Sequence, residues 1–205
     1  MITPTLPPIP ANVGRSINLI VVHCSATASG QRIDRAGKNA AQVIDEWHQA
    51  RSFKRVAFAK ANHNPHLHAI GYHYVIDIDG TILSGRSLNE TGAHAQGFNR
   101  MSIGICLIGG AEREANYTPN QWLSLAALVK QLASRFKVPL QMPQRLDNQT
   151  VRDGVCGHRD LSPDRNGNGL IEPFEWLKTC PGFSVEKWLS LSLTALPGHI
   201  YMGAV

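Results

Sequence analysis

Three residues far apart in the chain carry side chains that zinc prefers: His23, His158 and Cys180. His23 stands in Val21-Val22-His23-Cys24-Ser25, His158 in Cys156-Gly157-His158-Arg159-Asp160, and Cys180 in Lys178-Thr179-Cys180-Pro181. A catalytic zinc ion takes three protein ligands and keeps one position open for water, and two imidazoles with one thiolate make such a set. A histidine at a strand end is also commonly a hydrogen-bonded core group, and a lone cysteine a small buried apolar residue. Spacing alone does not choose between these readings. The last stretch also supplies a cation, Lys178, two residues before the cysteine.

A different metal chemistry is written between His158 and Cys180. Asp164-Arg165-Asn166-Gly167-Asn168-Gly169-Leu170-Ile171-Glu172-Pro173-Phe174-Glu175 fits the twelve-residue EF-hand loop. Asp164, Asn166 and Asn168 take positions 1, 3 and 5, Gly169 the sharp turn, and Leu170 the backbone carbonyl at 7. Glu172 takes position 9 and Glu175 the bidentate carboxylate at 12. The pattern predicts a calcium ion that fixes the insert and so positions Lys178 and Cys180. Against it stand Ser162-Pro163, where an incoming helix belongs, and the ability of Asn and Gly to make a turn without any ion.

The elements that must position these groups follow from pattern. Ile17 to His23 and Ser102 to Ile108 are short Ile/Val-rich runs and predict buried strands, with a further short strand at Val155 to His158. Side chains alternate along a strand, so His23 and Cys24 face opposite ways and do not pair as base and nucleophile. Ala40 to Phe53 predicts a helix with Val43, Ile44, Trp47 and His48 on one face. Lys54 to Ala69 reads as an irregular insert; its His63, His66 and His68 are of metal-ligand type, but the insert lies outside the sequence blocks set out below. Asp79-Gly80 between Gly71–Ile78 and Thr81–Leu83 predicts a hairpin with a tight primed turn. Thr118, Pro119 and Gln121 form an N-cap, a first-turn proline and a capping-box partner. They open a helix whose stripe is Trp122, Leu125, Ala126, Val129, Leu132, Ala133 and Phe136. Short helices are predicted at Glu172–Leu177 and Ser184–Ser192. The order β-α-β-β-β-α-β-α predicts an α/β fold, one domain with a mixed central sheet flanked by helices. The expected divisions are an extended Pro-rich arm at 1–16, the domain at 17–192 with its insert at 164–175, and a tail at 193–205.

In chain order the sequence contains VVHCSAT at 21–27, GYHYVIDIDGTILSGR at 71–86, GAHAQGFN at 92–99, SIGICLIGG at 102–110, GHRD at 157–160 and KTCPGF at 178–183. These blocks resemble the zinc-dependent N-acetylmuramoyl-L-alanine amidases of the phage lysozyme type, relatives of the peptidoglycan recognition proteins. The resemblance runs from Ile17 to Trp188. It implies that His23, His158 and Cys180 hold a catalytic zinc ion, with Tyr72 and Lys178 as the active-site tyrosine and lysine. It implies that His94 and Asn99 lie in a loop contacting the muramyl peptide. The implied reaction is hydrolysis of the amide between N-acetylmuramic acid and L-alanine in bacterial peptidoglycan, by a phage or prophage endolysin. A muropeptide-recycling amidase, a secreted antibacterial effector and a non-catalytic peptidoglycan-binding module are the rival readings. The full set of zinc and active-site residues favours an enzyme.

Composition bounds the rest. A hydrophobic content of 43% with 17% charged residues in 205 residues describes a folded domain rather than a disordered chain. A net charge of +5 suits an anionic partner, yet no basic-aromatic motif points to nucleic acid. Four dispersed cysteines without a C-x-x-C pair argue against a disulfide framework. Met1 to Pro10 has neither a basic nor an apolar signal segment, and no apolar run spans a bilayer. The expectation is a monomer made in the cytoplasm that acts on the wall after release or export. His158-Arg159-Asp160-Leu161 is not a kinase loop, because its asparagine is out of register and no Asp-Phe-Gly follows.

Overall fold

The structure, a computed structural model, describes residues 3–112, 114–147, 151 and 153–203. The ends of the expected arm (1–2) and tail (204–205), and part of the loop before residue 153, lie outside these residues. Five strands form one sheet: β1 (Leu19–Cys24), β2 (Tyr74–Ile76), β3 (Ile82–Ser84), β4 (Ser102–Leu107) and β5 (Gly154–Gly157), in the order β3-β2-β4-β1-β5. Strand β1 lies in the interior, parallel to β4 on one side and β5 on the other, while β3 pairs antiparallel with β2. The mixed α/β sheet is the expected one.

Alternation along the strands sorts two faces. Ile20 and Val22 of β1, Ile103, Ile105 and Leu107 of β4 and Val155 of β5 point into the larger core. Helix α3 (Pro119–Phe136) packs there through Trp122, Leu125, Leu128, Val129 and Leu132, and α4 (Val185–Ser190) through Val185 and Trp188. The opposite face carries Val75, Cys106 and α1 (Ala40–Ala50), through Ala40, Ala41 and Ile44. His23, one residue beyond Val22, belongs to this second face. The capping box of α3 is made: Thr118 Oγ1 accepts from Gln121 N at 3.1 Å and Gln121 Oε1 accepts from Thr118 N at 3.0 Å. The described parts of the N-terminal arm and the C-terminal tail dock on the larger core. Leu6, Ile9 and Val13 pack against it, Leu196 is buried in it, and Trp122 Nε1 donates to His199 O at 3.0 Å.

Three local expectations are corrected. The hairpin closes through Asp77 N to Thr81 O at 2.9 Å, so three residues span the turn, and only Gly80 (φ +88°) has positive φ. A two-residue type I′ turn needs positive φ at both central residues, and Asp79 is not left-handed. The insert after α1 holds a helix, α2 (Ala57–Asn62), favoured by its alanines although it has no side-chain cap. The helix expected at 172–177 is a single 3-10 turn over Pro173–Glu175.

The irregular chain after α2 obtains its hydrogen bonds from buried charges. Arg55 donates to the carbonyls of His63, Asn64 and Leu67 at 2.9–3.0 Å and to the Glu90 carboxylate at 2.8 Å. Asp45 accepts from the amides of His68, Ala69 and Ile70. Arg86 joins Glu90 at 3.3 Å, and the side chains of Arg55, Glu90 and Arg86 are 0%, 2% and 5% exposed. Removing one partner of a buried pair leaves uncompensated charge. Glu90→Ala is therefore expected to lower the unfolding free energy by about 3–5 kcal/mol, measured by urea denaturation. A loss under about 1 kcal/mol would show that the guanidinium groups do not depend on this carboxylate.

Candidate metal centre and active site

The site forms at the carboxyl ends of parallel strands, where open α/β sheets place their ligands. Strand register does most of the assembly. Val22 of β1 is paired with Gly157 of β5, so the next residues, His23 and His158, emerge side by side. Their ring centroids are 4.7 Å apart. Cys180 arrives from a separate segment, tied to the turn after β5 by Arg159 N donating to Cys180 O at 2.9 Å. The Cys180–Pro181 peptide is cis, and Tyr117 Oη donates to Pro181 O at 2.6 Å. One ligand atom from each of His23, His158 and Cys180 lies within 4.8 Å of the others. Among the described residues no other group of three His, Cys, Asp or Glu side chains converges in this way. His63, His66 and His68 do not form a cluster, and His63 Nε2 instead meets Ser84 Oγ at 2.9 Å.

The electrostatics suit neutral imidazoles. Burial holds His23 well below the usual histidine range, reinforced by His94 and His158. His158 falls to about 4 through burial and then the positive charge of Lys178. Burial pushes the Cys180 thiol well up, while the Cys24 backbone N–H, which donates to its sulfur at 3.1 Å, pulls the other way. The residues fit a metal such as zinc, because two neutral imidazoles and one cysteine sulfur meet at one point and lack only a cation to hold the thiolate.

Tyr72 packs against this cluster with its ring centroid 5.2 Å from that of His23. Burial, then the neighbouring Cys106, Cys180 and Cys24 sulfurs, raise its phenol well above the ordinary value. The side chain therefore stays protonated and is a hydrogen-bond donor. Lys178 is exposed and lines both of two adjoining cavities, of about 300 Å³ and 410 Å³. The first also takes in Tyr72, His48, Trp47, Arg51 and Cys180, the second Phe98, Asn99, Leu161 and Leu177. Phe53, Ala93, His94, His158 and Lys178 border both, so one of the three converging side chains, His158, stands where the two cavities meet. Asn99 Oδ1 accepts from His94 N at 2.8 Å and Ala95 N at 2.9 Å, which holds the loop in shape.

Two contributors were invisible in the sequence reading. Cys24 faces away from His23, yet its main-chain N–H bonds the Cys180 sulfur. His48, placed on the apolar face of α1, accepts from Gly71 N through Nδ1 at 2.9 Å and lines the first cavity. The available signal was a polar residue on a core-facing stripe, which requires a buried partner.

The insert closes on itself. Glu175 is buried, and its oxygens accept from the amides of Arg165 at 2.7 Å, Asn166 at 3.2 Å and Glu172 at 2.9 Å. Asp164 accepts from Gly167 N at 2.6 Å and Gly169 N at 2.7 Å. Asn166 and Asn168 donate to Glu172, and Leu170 N is bonded to Asn168 Oδ1. These bonds form the loop with the chain's own donors, and nothing in the arrangement requires a calcium ion.

The family model described as N-acetylmuramoyl-L-alanine amidase matches residues 13–183. The endolysin of Enterobacteria phage T3 is 30% identical over 173 residues, covering 82% of this chain and 83% of that protein. Among solved structures, the N-acetylmuramoyl-L-alanine amidase LysC from Clostridium intestinale is 27% identical, with a TM-score of 0.52 over 84% of this chain and 94% of that one. Drosophila PGRP-LB, at 17% identity and a TM-score of 0.50 over 97% of this chain and 93% of its own, shares the fold.

Burial also sets an acid limit. It lowers His48 to about 4 and His73 to about 3, against about 6.5 in the unfolded chain. Below about pH 6.5 the unfolded state takes up protons that the folded state refuses, so stability is complete above that pH. It is lost as pH falls toward about 4 for His48 and about 3 for His73. The metal-free protein is expected to melt at a lower temperature at pH 5 than at pH 7. An equal Tm at both would show that these imidazoles are not held neutral.

Proposed function

The chain belongs to the N-acetylmuramoyl-L-alanine amidase family, and we propose that its reaction centre is a zinc ion held by His23, His158 and Cys180. It is a peptidoglycan amidase, and the bond to be cut joins the lactyl group of N-acetylmuramic acid to L-alanine. The observation that carries the zinc reading is the convergence of the three ligand atoms within 4.8 Å of one another, with His158 bordering both cavities and Cys180 the first. Zinc there would supply Lewis-acid polarisation of the carbonyl and lower the pKa of water toward about 7.

The chain's own residues do the rest. A substrate amide at the seam has room for its two arms, one in each cavity. Lys178, on the rim of both, faces the carbonyl oxygen as negative charge develops there and stabilises it with its ammonium. Tyr72, kept protonated by burial, donates a hydrogen bond to the same oxygen or to the attacking water. Phe53 and Trp47 exclude bulk water from the approach. His94 and Asn99 border the second cavity, where the muramyl side of the substrate is assigned.

Similarity to phage endolysins along most of the chain supports an endolysin role, with the wall as the place of action. No helix among the described residues is long and apolar enough to cross a membrane. The rival reading, a module that binds peptidoglycan without cutting it, predicts wall binding with no amine release by zinc-loaded protein.

The decisive assay measures amines released from purified peptidoglycan. Activity is expected to vanish with chelator and return with zinc, and Cys180→Ser is expected to lose zinc and activity together. Tyr72→Phe and Lys178→Met are expected to retain zinc while losing about 100- to 1,000-fold in kcat, the usual range for an oxyanion donor. Wild-type turnover in either variant removes that residue from the reaction. For the insert, the calcium reading rests on the twelve-residue pattern. If it holds, calcium raises the Tm of zinc-loaded protein and Glu175→Ala abolishes that rise. A Tm indifferent to calcium removes the ion from Asp164–Glu175.

A further inference from the structure

His94 does more than border the cavities. Its Nδ1 lies 2.9 Å from Nε2 of His23, and the rings meet edge to face at 82° with centroids 4.9 Å apart. That is the geometry of an in-plane hydrogen bond rather than a stack. A hydrogen bond at this distance needs one proton between the two nitrogens, and either ring could donate it. If His94 donated, His23 would accept at Nε2, and in its neutral form would carry its proton on Nδ1. Neither nitrogen of His23 would then have a lone pair for a metal. If His23 donates from Nε2, its Nδ1 lone pair is free and His94 carries its proton on Nε2. Ser102 Oγ stands at 3.4 Å from that nitrogen, the side on which an acceptor is then needed.

The surroundings are shaped for this ring. A Cβ added at Gly92 would come within 2.5 Å of His94 Cδ2, and one at Gly104 within 2.6 Å, so two glycines leave the space that the imidazole fills. Gly104 lies on β4, the strand next to β1, which brings the ring against His23 from the neighbouring strand. The backbone of His94 is held by Asn99 Oδ1, and Ala93 N donates to Gly71 O at 2.9 Å. An imidazole that binds a metal generally has its other nitrogen fixed by a hydrogen bond, which sets its tautomer and orientation.

We propose that His94 is a positioning residue: it accepts the Nε2 proton of His23 and thereby presents Nδ1 of His23 as the metal-binding nitrogen. The role rests on the zinc reading above but concerns zinc affinity, not contact with the muramyl peptide. Gly92, Gly104 and Asn99 serve it by holding the acceptor in place.

The test reads zinc binding directly, by competition with a chromophoric chelator, on wild-type protein and two variants. His94→Ala is expected to weaken zinc about 10- to 100-fold, the usual cost of losing a ligand's outer partner. His94→Asn, whose Oδ1 falls near the place of Nδ1, is expected to recover most of that loss. Nitrogen-15 NMR of the zinc-loaded wild type is expected to show His23 protonated at Nε2. Unchanged zinc affinity in His94→Ala with weakened peptidoglycan binding overturns the proposal and leaves His94 as a substrate contact. A His23 proton on Nδ1 overturns it as well, whatever the variants do. Wild-type protein that binds no zinc removes the zinc reading and this one together, whereas equal binding in wild type and variant removes only this one.

Discussion

The parallel pairing of β1 with β5 is the constraint on which the site depends. It sets Val22 opposite Gly157, and the next residue on each strand is a histidine. A shift of one residue would turn His23 into the core of α3 and α4 and bring Cys24 to the site face. The apolar residues guard against that shift. Ile20 and Val22 on one face and Leu19 and Val21 on the other are all buried, so slipping either way exchanges two packed sets at once. The ligand geometry is thus maintained by ordinary sheet packing. Only Cys180 needs a connection of its own, and Arg159 N supplies it.

The buried charges solve a different problem. The chain between α2 and β2 is irregular, and its amides and carbonyls would be left unpaired inside the protein. Arg55 and Asp45 satisfy six of these groups between them, three carbonyls and three amides. Glu90 then pairs with both Arg55 and Arg86, and Arg86 donates to the carbonyls of Lys54, Ile70 and Thr91. Both chain segments entering the active site, toward Tyr72 and toward His94, begin at these bonds. Side-chain hydrogen bonds stand in here for secondary structure.

Much of this was legible in the sequence because the signals are local. The Thr118–Gln121 capping box, the stripe of α3 and the Ile/Val runs of β1 and β4 all appear as written. The three ligand positions needed the ordered blocks of a resemblance, since nothing in a spacing of 135 or 22 residues reports proximity. The misses are cases where tertiary contacts decide. Helix α2 is stabilised within a loop whose order comes from Arg55, an arginine whose burial no local pattern announces. The hairpin gained a residue because Asp77 pairs with Thr81. Cys24 was sorted by its side chain, whereas it is its backbone N–H that reaches Cys180. The environment of His94 depends on glycines on two separate segments, and a glycine in a sequence does not show whose ring occupies the space beside it.

The insert between the second histidine and the cysteine has a latch at its base: Leu177 N donates to Ser162 Oγ at 3.0 Å, below the bond from Arg159 to Cys180. Chain beyond a latch is topologically a bubble. The entropy of closing such a bubble grows only with the logarithm of its length. Residues can therefore be gained or lost past Ser162 at little cost, and the cysteine still returns to the same place. That makes this position a natural seat for length variation, where a lineage can try new surface chemistry at the mouth of the second cavity without altering the ligands behind it.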